Sequence, residues 1–126
     1  MVAPTAPLQV APQAGTLPQL VGTFVVSVLF FSLTAHVAAR YVLGDVPIRR
    51  ALLVGLVPAL TTTVLIRYPP IVIIALTVVC DFLAIQTVYR LAYRTTALVT
   101  GAHFTLTVLT SLVVAYALAI FSTAPV

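Results

Sequence analysis

The chain has no lysine, no glutamate and no tryptophan, and only 6% of its 126 residues are charged. Soluble chains carry about 25% charged residues and are about 45–50% apolar. A chain that is 62% hydrophobic therefore has too little polar surface to remain a globule in water. Its single cysteine, Cys80, excludes an internal disulfide and a cysteine-based zinc site, and inside an apolar run it reads as a small packing residue. There is no GxSxG, no serine beside a lysine and no pair of neighbouring aspartates, so an intramembrane protease or acyl transferase would lack its parts. The glycines at 15, 22, 44, 55 and 101 are too scattered for a phosphate loop. With no two histidines at i and i+4, no local metal-ligand pair exists either. A non-enzymatic protein without a cofactor or metal is the expectation.

What the chain does have is apolar runs of membrane-crossing length. They cover about 17–39, 48–66, 70–89 and 97–121, each close to the roughly 20 residues that span a bilayer as a helix. The expected fold is all-α, an integral membrane four-helix bundle forming one domain over 17–122. Residues 1–16, rich in proline, alanine and glutamine and without side-chain charge, read as a mobile leader. The run after it is too long for a cleaved signal core, and its first charge, Arg40, follows rather than precedes it. Between the runs, Gly44, Asp45 and Pro47 mark a polar turn, and Arg67, Tyr68, Pro69 and Pro70 a tight one. Pro58, inside the second run, removes a backbone donor there, and the hydroxyls of Thr61, Thr62 and Thr63 are candidate partners for the carbonyl it frees.

The formal charge of +4 comes from six arginines set against Asp45 and Asp81. Arg40, Arg49, Arg50, Arg90 and Arg94 fall in or beside the first and third loops, and only Arg67 lies on the opposite side. By the positive-inside bias those two loops are cytoplasmic and both termini lie outside the cell membrane. The five arginines then act as topology anchors at anionic headgroups, with Tyr41, Tyr89 and Tyr93 in an aromatic belt beside them. No basic face with interleaved aromatics is present, so nucleic acid is not an expected partner. The expected partners are the lipid bilayer and either further copies of the chain or a larger membrane complex.

A weak internal repeat overlays Arg40 on Arg90 and ALLVG at 51–55 on ALVTG at 97–101. Two helical hairpins of like orientation would be related by a pseudo-twofold axis along the membrane normal. The repeat also aligns two small-residue stripes, Ala51, Gly55 and Ala59 with Ala97, Gly101 and Thr105. Such stripes let helices approach closely in lipid, so the second and fourth helices are expected to meet along them or to face another copy.

Asp81 lies near the middle of the third run. A carboxylate at that depth costs roughly 2.5–3.5 kcal/mol on insertion scales and is expected to face protein or trapped water. On the fourth run Thr100, His103, Thr107 and Thr110 share a narrow arc at about 100° per residue, and on the third Thr77, Cys80, Asp81, Ala84 and Thr87 cluster on one side. Asp81 and His103 differ in depth by about one helical turn, which makes Asp81, His103, Thr77 and Thr107 a candidate intramembrane polar site. His36 and Gln86 come to a shallower level. Two readings follow: a structural, assembly or accessory membrane subunit, or a small proton- or ion-coupled transporter or channel-like subunit using Asp81 with His103. The second needs an oligomer or a partner, because four helices seldom enclose a pore.

Overall fold

A computed structural model describes residues 16–125. The expected leader therefore lies, apart from Thr16, outside the described residues. The architecture is all-α: α1 (Leu17–Leu43), α2 (Ile48–Val64), α3 (Pro70–Tyr89) and α4 (Tyr93–Thr123), joined by short turns.

Local chemistry sets each boundary. At the start of α1, Thr16 N–H donates to Gln19 Oε1 (3.2 Å) and Gln19 N–H returns to the Thr16 carbonyl (2.9 Å), satisfying donors that helix N-termini leave free. The helix continues through Arg40, with no breaker before Gly44, whose φ of 85° suits a residue without a Cβ. α2 closes at Val64, where Leu65 N–H reaches the Thr61 carbonyl (2.9 Å), so it stops short of residue 66 to make the turn before the two prolines. Pro70 opens α3 at a position where its missing N–H is no loss, and Arg90, with φ of 54°, closes it. α4 begins at Tyr93 rather than near 97, because nothing after Ala92 interrupts helix and Thr96 Oγ1 bonds back to the Ala92 carbonyl (2.9 Å).

Three helices, α1, α3 and α4, are long and apolar enough to cross a membrane. α2, with 17 residues, is about 25 Å long at 1.5 Å per residue, just under a hydrocarbon core of about 30 Å. Pro58 lies inside it. The three threonines that follow do not reach the carbonyl of Val54 that the proline frees. Thr61, Thr62 and Thr63 bond instead to the carbonyls of Val57, Pro58 and Ala59 (2.7, 2.8 and 2.7 Å), since a helical hydroxyl reaches back only three or four residues.

The helices form a ring in which each packs on its two sequence neighbours and α4 returns to α1, while the α1/α3 and α2/α4 diagonals bring no backbones together. This corrects the expected pairing of the second and fourth helices. Ala51, Gly55 and Ala59 are buried, but Gly55 abuts Ser32 of α1, where a Cβ would stand 2.7 Å from the Ser32 Cα. Close approach needs small residues on both helices, and α1 supplies them with Ser32, Ala35 and Ala39. Ala97, Gly101 and Thr105 face outward, and a Cβ at Gly101 would touch nothing. Ring order is what two like hairpins would give, yet the equivalent glycines sit in unlike surroundings.

Burial is confined to one half of the bundle. It takes in Ser32 to Ala39 on α1, Ala51 to Ala59 on α2, Asp81 to Tyr89 on α3 and Thr96 to His103 on α4, all toward the arginine-bearing turns. Tyr89 joins this core instead of the expected interfacial belt, while Tyr41 and Tyr93 are exposed. Toward the other end the helices part, leaving a recess of about 620 Å³ between α1 and α2 lined by Gln19, Thr23, Ser27, Thr62 and Thr63 among others. Leu and Val side chains dominate the outward faces, a surface that suits lipid better than water.

Candidate functional site

The polar residues of three helices converge at the upper edge of this core. Asp81 on α3 and His103 on α4 are both buried, and His103 Nδ1 stands 2.6 Å from Asp81 Oδ2. On the other side of the ring, His103 Nε2 is 3.0 Å from Oγ1 of Thr34 on α1, and Thr107 Oγ1 lies 3.4 Å from the same atom. The imidazole thus bridges α3 and α1 from α4. Among the described residues the His103–Asp81 contact is the one between an acidic and a basic side chain. Arg40, Arg49, Arg50, Arg90 and Arg94 are exposed around the turns at the far end of the core.

Hydrogen counting limits what the site can do. Thr34 Oγ1 also lies 3.1 Å from the carbonyls of Phe30 and Phe31, and a hydroxyl has one proton to donate. If that proton goes to the carbonyls, the contact with His103 requires Nε2 to carry a proton and donate. His103 and Asp81 then share a second proton between Nδ1 and Oδ2, and the pair has no net charge. If the Thr34 hydroxyl turns to donate to Nε2, the ring is neutral, Nδ1–H donates to the carboxylate and the pair carries one negative charge. The same heavy-atom positions therefore serve two states that differ by one proton and a hydroxyl rotation.

A second group of polar residues lies at a small cavity beside the pair. Asp81 Oδ1, Thr77 Oγ1 and Thr100 Oγ1 are buried and have no hydrogen-bond partner among the described residues. All three residues line a cavity of about 50 Å³, with Phe31, Pro58 and Phe104 on its apolar walls. Of the residues expected at the site, Asp81 and His103 are in contact, Thr107 joins through Thr34, and Thr77 stands at the cavity without bonding to the others. Thr87 points outward and bonds to its own helix at the Leu83 carbonyl (2.7 Å). His36 remains apart, its buried Nδ1 without a partner among the described residues.

Thr34 is the participant that sequence reasoning missed. Arg40 is a misleading marker of the end of α1, because the helix runs on past it to Leu43. Counted from the helix ends at the turns, Thr34 to Leu43, Asp81 to Tyr89 and Tyr93 to His103 are nearly equal lengths of helix, so the signal was present. Among the described residues there is no group of three or more His, Cys, Asp or Glu side chains placed to hold a metal.

Fold and site together define an all-helical protein, three of whose helices can cross a membrane, with an acid–imidazole pair enclosed between them. The chain belongs to a family of unknown function (DUF7473), which matches residues 14–125. No curated protein and no solved structure matches it.

Proposed function

We propose that the chain is a non-enzymatic, multi-pass protein of the cell membrane that takes up and releases a proton at Asp81–His103, as the proton-handling subunit of a small transporter or channel-like assembly. The observation that carries this reading is the 2.6 Å contact between two buried titratable side chains whose hydrogen-bond partners allow two states one proton apart. Intramembrane acid–imidazole pairs of this kind are expensive to place and suit proton relays. All four helices cross in this reading. The turns at 44–47, 65–69 and 90–92 are too short to return a chain through the bilayer, and α2, though short, is within the lower range for a span. The arginine-rich turns face the cytoplasm, with both termini outside. Four helices seldom enclose a pore, so in this reading further copies of the chain complete the path.

A structural subunit is the second reading, favoured by a different observation. The Thr34–His103–Asp81 chain ties α1, α4 and α3 together, as a device that fixes helix register would. Proton flux into proteoliposomes containing the purified protein, compared with Asp81→Asn at matched folding, separates the two. Flux that disappears in the variant supports the relay. Absence of flux in the wild type, or equal flux in both, sinks it and leaves the register lock.

A further inference from the structure

The cavity beside the pair has the chemistry of a water site. Three of the residues that line it, Asp81 and Thr77 from α3 and Thr100 from α4, carry a buried side-chain oxygen with no partner among the described residues. Buried polar groups in native proteins are almost always satisfied by protein or by ordered water. A volume of about 50 Å³ exceeds the roughly 10–15 Å³ that one water needs on this measure, and buried waters commonly make about three hydrogen bonds. Phe31, Pro58, Val78 and Phe104 supply its apolar walls, and His103 and Thr107, both already engaged with Thr34, complete the lining.

The geometry points to an ordered water in this cavity, held by Asp81 Oδ1, Thr77 Oγ1 and Thr100 Oγ1, that serves as the proton port of the Asp81–His103 pair. This rests on the proton-handling reading and specifies its entry. The carboxylate has two oxygens with different neighbours: Oδ2 is engaged by the imidazole, so Oδ1 is the atom left for exchange. A proton arriving on the water passes to Oδ1, one O–H bond breaking on the water as another forms on the carboxylate, and the water is left neutral. Each threonine hydroxyl can donate to the water oxygen or accept from the water, so the two act as positioning residues and undergo no net change.

The test uses the full chain in lipid bilayers, with carbon-13 and nitrogen-15 labels, and two readouts. Magnetisation transfer from water to Asp81 Cγ reports the bound water, and proteoliposome flux reports its use. In the Thr77→Val/Thr100→Val double variant, which keeps shape and removes both hydroxyls, transfer should vanish and flux should fall about tenfold, the equivalent of a lost hydrogen bond. The His103 nitrogen signals should stay as in the wild type, showing the pair intact. Thr77→Ser/Thr100→Ser should restore both transfer and flux. No transfer in the wild type, or transfer unchanged in the valine variant, overturns the water site. Sodium that abolishes the transfer and shifts Asp81 Cγ overturns it in favour of a cation site. Failure of the relay itself looks different, because transfer to Asp81 would persist while Asp81→Asn left flux unaltered.

Discussion

His103 is the residue on which the interior depends, because each of its nitrogens has one partner and those partners come from two other helices. Replacing it by leucine leaves Asp81 buried and unpaired, and breaking a buried pair in this way typically costs about 3–5 kcal/mol. Removing both charged groups at once should cost much less. Unfolding of His103→Leu, Asp81→Leu and the double variant in mixed micelles is expected to give a coupling of about 0.5–3 kcal/mol. Losses that simply add would show that the contact contributes nothing. Thr34→Val removes the Nε2 partner and is expected to cost about 1 kcal/mol by the same measurement. A variant as stable as the wild type would mean that the ring does not rely on that hydroxyl.

At the level of elements, the small residues have different consequences on α2 and α4. Gly55→Ala drives a methyl group into the Ser32 backbone, and overpacking of this kind costs about 1–3 kcal/mol. Gly101→Ala meets open space and should change stability by no more than about 0.5 kcal/mol. Equal effects from the two substitutions would argue against this packing. The contrast also shows how far helix faces can be read from sequence. The polar stripes of α3 and α4 were legible, since a buried acid and histidine must find partners. The small stripes were legible as places of close approach on α2 but not as a pairing, because Ala51, Gly55 and Ala59 do not say which neighbour also carries small residues. Ser32, Ala35 and Ala39 on α1 settle that, and the inward face of α4 is the one carrying Thr96, Val99, Thr100 and His103.

Across the whole molecule, charge and packing have the same polarity. The arginine-rich turns stand at the closed end of the bundle, and the helices separate toward Leu17, Tyr68 and Thr123. In a Cys80→Ala background, Tyr68→Cys should be labelled on intact cells by a membrane-impermeant maleimide, and Asp45→Cys only after permeabilisation. The reverse pattern would invert the topology. The class of the protein came from its sequence alone: apolar runs of about 20 residues cannot be hydrated, and their backbones must close their own hydrogen bonds as helices. The acid and the histidine were legible for the same reason, as groups too costly to leave facing lipid. Tertiary structure alone decided the order of the helices around the ring, the place of Thr34 beside Nε2 and the gathering of Asp81, Thr77 and Thr100 around one cavity. Each of these depends on how one helix is rotated against another, and nearly uniform apolar faces leave that rotation to the fit of side chains in three dimensions.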